Sequence, residues 1–368
     1  MLQEFKDIYT DRYRFIKEQE EQGKKVMGWV CTYVPEEMIY AAGMLPIRIT
    51  GWAGDTSVAD GYLYSNVCSF ARGCLEEGLK GNYDFLSGYV AVNSCDNLRR
   101  LFEVWSRYCK TPFTHIIKLP HKITEDSIAY FRDELFHLKE RLEEFTGKEI
   151  TDGSLQTAIN LYNRTRQLLR RLYELRKANS PPISGAETLD VVLAGLVMPR
   201  ELYNQRLEAL LNDLAGKEKK DGDKLRILLV GSELDNSEYI RVIEELGSIV
   251  VTDDLCNGTR YFWDSVEANN SPLEALAKRY LTKAPCARMR PPTERLERIK
   301  KMIKDYRVDG IVYEMIKFCD LYGEDYPIFR DALRELDVPI LTLNREYTFT
   351  GIGQTKTRVQ AFFETLSV

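Results

Sequence analysis

The chain has 368 residues, with 44% hydrophobic and 29% charged side chains, an ordinary balance for a globular protein with core enough for two or three domains. Its formal net charge of −5 and pI of about 5.6 give no electrostatic argument for binding nucleic acid or an anionic membrane. It has no long apolar run that would span a bilayer, and residues 1–22 are charged throughout and lack the apolar core of a signal peptide, so a cytoplasmic protein is expected.

In chain order, residues 2–22 read as one amphipathic helix carrying many charges. Residues 28–35 lead into a short helix over 36–42 that Gly43 stops, and Pro46 precedes a strand over 47–49. A loop rich in Gly, Ser and Asp spans 51–64. Ser65 is a fitting N-cap for the next helix, which puts Cys68 in its first turn, where the positive dipole end favours a thiolate. Cys74 lies about 240° round that helix from Cys68 at 3.6 residues per turn, so the two do not share one ligand face and Cys74 reads as core. A strand over 89–93 runs straight into Ser94-Cys95-Asp96 and a helix over 98–108, which Cys109 ends as a structural residue. A strand over 116–119 closes a first α/β unit near Pro120.

Residues 125–146 and 154–178 are long helical patterns, the second with the apolar stripe Leu161, Leu168, Leu169, Leu172 and Leu175. Ser180-Pro181-Pro182 breaks it. Helices over 184–197 and 200–215 lead to the charged run 217–224, a solvated linker and domain boundary. A second α/β unit follows. It has a strand over 224–231, a helix over 237–246, and a strand over 248–252 that delivers Asp253, Asp254 and Cys256. A helical stretch over 272–300 breaks at Pro291-Pro292. A strand over 310–313, Cys319 just past it, an acidic and apolar helix, a strand over 339–343 and a final helix complete the chain. Strands alternating with helices predict parallel, doubly wound sheets. The expected organisation is an N-terminal α/β domain over 1–120, a helical insert over 121–222 and a C-terminal α/β domain over 223–368.

Several motifs are missing. There is no G-x-x-x-x-G-K-[ST] loop and no G-x-S-x-G elbow, and Gly351-x-Gly353 lacks the third glycine of a dinucleotide fingerprint. If ATP drives the chemistry, another chain must bind it. With only three histidines (His115, His121, His137) and no C-x-x-C, a zinc ribbon is excluded. Eight cysteines in a long chain of a reducing compartment argue against a disulfide framework. They leave buried free thiols or metal ligation by soft sulfur, with iron–sulfur or zinc as the metals. Placement singles out Cys68 at a helix start and Cys95 and Cys319 beyond strand ends in the two halves, where α/β sheets present ligands. Three thiolates on a four-iron cube would leave one iron open, able to act as a Lewis acid on a carbonyl oxygen. The other reading is a non-catalytic protein whose two lobes close on a small ligand, with these thiols merely buried.

Four segments carry a resemblance: GWVCTYVPEEMIYAAGMLPIRI (28–49), NVCSFARG (66–73), NSCDNLRRLFEVW (93–105), and KFCD with GQTKTRVQAFFE (within 317–364). They resemble the paired iron–sulfur subunits of the 2-hydroxyacyl-CoA dehydratases and ATP-dependent benzoyl-CoA reductases. The resemblance implies two flavodoxin-like parallel-sheet domains, here with a helical insert and an N-terminal helix. It implies a [4Fe–4S] cluster between them, held by Cys68, Cys95 and Cys319. It implies as partners a homologous larger iron–sulfur subunit, an ATP-hydrolysing activator that injects a low-potential electron, and an acyl-CoA substrate. The missing phosphate loop agrees with that division of labour.

TDDLCNGTRYFW (252–263) and PCARMRPP (285–292) look more like benzoyl-CoA reductase subunits than like typical dehydratases. The expected function is therefore the smaller iron–sulfur subunit of an ATP-dependent benzoyl-CoA reductase. The alternatives are a subunit of a 2-hydroxyacyl-CoA dehydratase and a homodimeric reductase of small molecules holding an [8Fe–9S] double-cubane cluster. The second cube of that larger cluster needs three more thiolates. Cys256 and Cys286 with Cys74 or Cys109 would supply them; otherwise Cys256 and Cys286 are partly buried free thiols. Cys31 reads as structural. Glu36 and Glu37 resemble a family motif, though capping the helix after Pro35 explains them adequately. Arg358 and Gln354 are candidates to brace the cluster or contact CoA, and Lys356 reads as a surface residue. Arg288 and Arg290 either bind CoA phosphates or are solvated.

Overall fold

The computed structural model describes residues 1–51, 54–217, 224–267, 271–348 and 351–366. The first part of the chain runs α1 (Leu2–Thr10), α2 (Arg12–Glu21), β1 (Val26–Trp29), α3 (Glu36–Ala41), β2 (Leu45–Arg48), α4 (Ser69–Leu79), β3 (Gly88–Val92), α5 (Asp96–Tyr108) and β4 (Phe113–Ile117). Four helices follow: α6 (Glu125–Thr146), α7 (Asp152–Leu175), α8 (Gly185–Ala194) and α9 (Arg200–Leu214). The last part runs β5 (Leu225–Gly231), α10 (Ser237–Glu244), β6 (Ser248–Asp254), α11 (Thr259–Phe262), α12 (Pro272–Thr282), α13 (Thr293–Asp305), β7 (Gly310–Ile316), α14 (Asp320–Leu333), β8 (Ile340–Arg345) and α15 (Ile352–Leu366).

The strands form two wholly parallel four-stranded sheets, ordered β2-β1-β3-β4 and β6-β5-β7-β8. This is the expected α/β class with two flavodoxin-like sheets. The inner strands β1 and β3 are buried along their whole length and β5 and β7 at all but one residue each, as parallel strands covered on both faces must be. In each sheet the chain starts at an inner strand, adds its neighbour on one side, then crosses to the other. The direction of winding therefore reverses between β1 and β3, and again between β5 and β7. Crevices open at such switch points, beyond the carboxyl ends of the strands.

The four middle helices are well delimited. Thr124 caps α6 by accepting from the Ser127 N–H at 3.1 Å, and Gly147 ends it at φ 68°. Ser184 and Glu187 form a reciprocal capping box on α8. These helices pack on both sheets: α6 against β4 and α12, α7 against α3 and α12, and α8 against α1, α10 and β6. The linker expected over 217–224 lies almost wholly outside the described residues. Among the described residues no helix is long and apolar enough to cross a membrane.

Three local expectations change. Residues 2–22 are two helices, broken at Asp11 (φ −105°, ψ 35°); the buried Arg12 then reaches the Gly51 carbonyl at 3.2 Å. Residues 26–29 form a strand because Gly28 has no side chain. A Cβ there would lie 2.6 Å from Ile49 Cδ1 and 2.9 Å from Leu86 Cδ1. The helical stretch over 272–300 is interrupted for the whole of 283–292, well beyond the two prolines, and this segment crosses the face of the first sheet's loops, where the Arg290 N–H bonds the His121 carbonyl at 2.8 Å.

Glu36 and Glu37 are buried rather than simple caps, and the cap position is Pro35. Arg200 donates to Glu36 at 2.8 Å and Arg166 to Glu37 at 2.5 Å, while Tyr261 and Tyr280 add hydroxyl bonds at 2.6 and 2.7 Å. Burial holds Glu36 above the usual carboxylate range, Arg200 and Tyr261 notwithstanding. Burial also opposes ionisation of Glu37, but Arg166 and Arg279 overcome it and hold that carboxyl below its usual value. Glu37→Ala strands the Arg166 charge, and removing one partner of a buried pair costs about 3–5 kcal/mol. The expected result is a clear drop in the urea midpoint. Glu103→Ala, which removes an exposed partner of Arg99 and Arg100, should cost no more than about 1 kcal/mol. Equal losses in the two variants would refute the role assigned to the buried pair.

Candidate functional site

A cavity of about 440 Å³ lies where the carboxyl ends of the two sheets face each other. Its walls come from the segments after β1 (Cys31, Thr32), β3 (Asn93 to Cys95), β5 (Ser232, Glu233) and β7 (Ile316, Cys319), so both switch points open into one space. Arg48, at the end of β2, reaches across to Glu233 at 2.6 Å, and both side chains are almost fully buried. A second tie crosses near the surface, where Asn97 Nδ2 donates to the Phe318 carbonyl at 3.0 Å. The exposed lining residues Asp96, Arg99, His121 and Asp320 mark the mouth.

Six of the eight cysteines line this cavity: Cys31, Cys68, Cys95, Cys256, Cys286 and Cys319. Cys68, Cys95 and Cys319 hold the N-cap positions of α4, α5 and α14. Three helix N-termini thus aim at one space with their positive dipole ends inward. The Leu98 N–H approaches Cys95 Sγ at 3.5 Å, and backbone N–H groups of Ala71 and Phe70 serve Cys68 and that of Tyr322 serves Cys319. Cys256 sits in the turn between β6 and α11, where Arg260 Nη2 donates to its sulfur at 3.3 Å. Cys286 lies in the 283–292 segment and accepts from the Arg288 N–H at 3.4 Å. Cys31 follows β1 with φ 77°, beside the Ser94 hydroxyl.

Several site expectations are corrected. Cys68 is the N-cap residue itself, and its thiol is pushed up to about 11 because burial outweighs the backbone donors and the helix dipole. Burial likewise pushes Cys256 up to about 12 and raises Cys31, Cys95 and Cys319. The thiol that joins Cys256 and Cys286 in the cavity is Cys31. Cys74 is sealed in the core, and Cys109 ends α5 against Gly78. Arg288 is neither solvated nor free for a phosphate. It is 6% exposed and turned inward, donating to the carbonyls of Ser94 at 3.1 Å and Leu119 at 2.5 Å. Arg290 bonds the Ala287 carbonyl at 2.5 Å. Gln354 is exposed, Arg358 bonds the Thr342 carbonyl at 2.8 Å, and neither lines the cavity. Lys356 makes an exposed pair with Glu245 at 3.3 Å.

Sequence reasoning saw that Cys31, in the loop before Pro35, could approach the site but favoured a structural role because it did not find β1, and it gave Arg48 and Glu233 none because nothing in their neighbourhoods marks them as a pair. Buried nitrogens of Arg48 (Nε and Nη1) and Arg288 (Nε) have no hydrogen-bond partner, nor do Ser232 Oγ and Glu233 Oε1. Burial pushes the Glu233 carboxyl up to about 7 despite Arg48. Among the described residues no three Cys, His, Asp or Glu side chains stand close enough together to hold a single metal ion.

Two parallel α/β sheets sharing one thiol-lined crevice define a two-lobed α/β protein with its site between the lobes. The chain belongs to the family described as 2-hydroxyglutaryl-CoA dehydratase, D-component, whose family model matches residues 31–366. It is 27% identical over 365 residues to the (R)-phenyllactyl-CoA dehydratase beta subunit of Clostridium sporogenes, a match covering 99% of this chain and 98% of that one. It is 28% identical over 384 residues to the putative dehydratase subunit YjiM of Escherichia coli, covering 100% and 98%. It is 28% identical over 330 residues to a benzoyl-CoA reductase subunit of Thauera aromatica, covering 88% and 86%.

The raised thiol values set a pH dependence for the metal-free protein. Cys68 and Cys256 ionise near the ordinary 9.0 when unfolded but near 11 and 12 when folded. The stability of the neutral buried thiols is therefore complete below pH 9 and is lost as pH rises through 11 to 12. Urea stability of the metal-free protein should fall over that window. At pH 8 the folded protein should alkylate at Cys68 at least about tenfold more slowly than the urea-unfolded chain, since the thiolate is the reactive form. Equal rates, read by peptide mass spectrometry, would overturn the assignment.

Proposed function

We propose that this chain is an iron–sulfur redox protein whose cavity holds a cluster on six thiolates. Cys68, Cys95 and Cys319 would hold one cube, and Cys31, Cys256 and Cys286 the other, in the [8Fe–9S] double-cubane form. The observation that carries this reading is that six cysteines from both halves line one buried cavity. The donor set is all sulfur, which suits iron–sulfur chemistry. The thiols are too dispersed for one ion, as they must be where each sulfur takes a different iron. Arg288, which no carboxylate pairs with among the described residues and whose Nε has no hydrogen-bond partner, calls for an anionic occupant, because an uncompensated buried charge is costly.

Bound there, such a cluster supplies single-electron transfer at low potential. The protein's own contribution is electrostatic and steric. The first turns of α4, α5 and α14 present N–H groups to the outer sulfurs, and Arg260 presents its guanidinium to Cys256. Phe70, Leu98, Ile316 and Tyr33 exclude water from the walls. His121 and Asp320 stand at the exposed mouth, where they can hold a proton for an arriving substrate. The reaction class is one-electron reduction of a small molecule. If ATP hydrolysis drives the electron, a separate partner must bind the nucleotide, because the sequence has no phosphate-binding loop.

A second reading is favoured by the names of the relatives, which are subunits of dehydratases and of a reductase. On that reading the chain is the smaller subunit of an ATP-dependent benzoyl-CoA reductase or of a 2-hydroxyacyl-CoA dehydratase. It would pair with a larger homologous subunit, carry one [4Fe–4S] cluster on Cys68, Cys95 and Cys319, and serve an acyl-CoA substrate.

Anaerobic purification with iron and sulfide analysis and EPR separates the two. The six-thiolate reading expects about eight irons per chain, fewer when Cys31, Cys256 or Cys286 is changed to Ser, and no larger homologous chain purifying with it. About four irons, untouched by those three variants and lost in Cys68→Ser, Cys95→Ser or Cys319→Ser, favours the second reading. Fewer than about four irons after reconstitution would end both.

A further inference from the structure

The charges around the cavity are unevenly distributed. Beside Cys31, Cys256 and Cys286 stand three buried arginines. Arg288 bonds only carbonyl oxygens through its side chain, and no carboxylate pairs with it among the described residues. It bears on Cys286 and Cys31 before Cys95. Arg260 touches Cys256 Sγ at 3.3 Å, while Asp254, shared with Arg295, holds its far side. The positive end of that ion pair therefore faces the sulfur. Arg48 pairs with Glu233 and keeps two nitrogens without a partner. Lys283 lies on the same side, its Nζ bonded to Thr32 Oγ1 at 3.2 Å and to the Arg260 carbonyl at 2.9 Å, but burial pushes its amine down to about 7, so it adds no fixed charge.

Around the other three cysteines the charges differ. Cys68, Cys95 and Cys319 are served by backbone N–H groups. The side-chain charges bearing on Cys68 are Arg72, itself paired with Asp60 at 2.7 Å, and Asp320. The carboxylate bearing on Cys319 is Glu314, which Arg345 pairs.

We propose that Arg288 and Arg260, with Arg48 behind them, form a built-in counter-charge that makes the half of the site at Cys31, Cys256 and Cys286 the place where an added electron settles. The proposal rests on the six-thiolate reading above. Arginine keeps its charge at every pH at which the protein is folded, so this field is fixed. In the step concerned one electron enters from a one-electron donor and no bond forms or breaks. The added negative charge is lowest in energy nearest the cations with the least compensation. Arg288 and Arg260 are positioning residues: they act on the potential and not on the substrate.

The test is a potentiometric titration of the anaerobic holoprotein, with dithionite as reductant and redox mediators, followed by EPR. Arg288→Gln should lower the equilibrium constant of the first one-electron reduction at least tenfold, which is about 59 mV for one electron. Arg288→Lys keeps the charge and should restore most of that loss. Arg260→Gln should move the same couple in the same direction, and it decides the matter if the Arg288 variant does not retain iron. Asp320→Asn, which removes a carboxylate bearing on Cys68, should move the first couple less than Arg288→Gln does. Full iron with a first couple unmoved by Arg288→Gln and Arg260→Gln overturns the proposal, as does a larger shift in Asp320→Asn than in Arg288→Gln. The iron count of the unaltered chain is read first. Fewer than about eight irons ends the six-thiolate reading, whereas full iron with an unmoved couple ends only this one.

Discussion

The site depends on two parallel sheets presenting their switch points to the same space. Each sheet alone would open a crevice beyond its own strand ends. The Arg48–Glu233 pair joins the two, because neither charge has another ion-pair partner among the described residues and both are buried. Removing either partner alone would leave the other charge buried and uncompensated, a cost of several kcal/mol. Arg48 also lies over the Trp29 ring at 5.0 Å, and Trp29 stacks on Tyr261 at 6.1 Å and 21°. One residue of β2 thus links the first sheet, the second sheet and α11. The cavity wall is consequently set by packing between lobes and not by any single loop.

Further buried charges extend that constraint through the middle helices. Arg166 of α7 and Arg200 of α9 pair with Glu37 and Glu36 on α3, and Tyr280 and Tyr261 close the same bonds from the last part of the chain. The helix α3 follows the loop that carries Cys31. The middle helices therefore fix the inner wall of the cavity although none of their residues lines it. Asp254, Arg260, Arg295 and Asp325 form a comparable network behind Cys256. Both inner-wall cysteines are held by charge networks whose strength comes from burial, since exposed versions of these pairs would contribute little.

Much of this was legible in the sequence, and the parts that were not share a physical cause. The strands β3, β5 and β7 announce themselves as apolar runs that end in polar and thiol-bearing turns, so Cys95 and Cys319 could be placed. The strand β1 could not, since Gly28 breaks its apolar pattern and earns its place only through contact with Ile49 and Leu86, far away in sequence. Losing β1 hid Cys31. Cys68 was found at the right helix, but its acidity was misjudged because local dipole reasoning contains no term for burial. Glu36, Glu37 and Arg288 were misread for the same reason. A charged residue on a predicted helix or loop looks solvated until tertiary contacts show what covers it.

The two halves repeat one another in order: β2-β1-β3-β4 against β6-β5-β7-β8. In that comparison Cys95 and Cys319 are equivalent, each capping the helix that follows the third strand of its sheet. The inner positions are not equivalent. The first half places Cys31 after its opening strand, whereas the second half places Ser232 and Glu233 there. The second half carries Cys256 and Cys286 on a crossover with three helices between β6 and β7, where the first half has a single helix with Cys68 at its cap. The repeated scaffold therefore accounts for two matched thiols near the mouth. The departures from the repeat supply Cys256, Cys286, Arg260 and Arg288. A fold that was symmetric at this level would give a cavity with no electrical direction, and it is where the halves diverge that buried arginines come to stand beside Cys256 and Cys286.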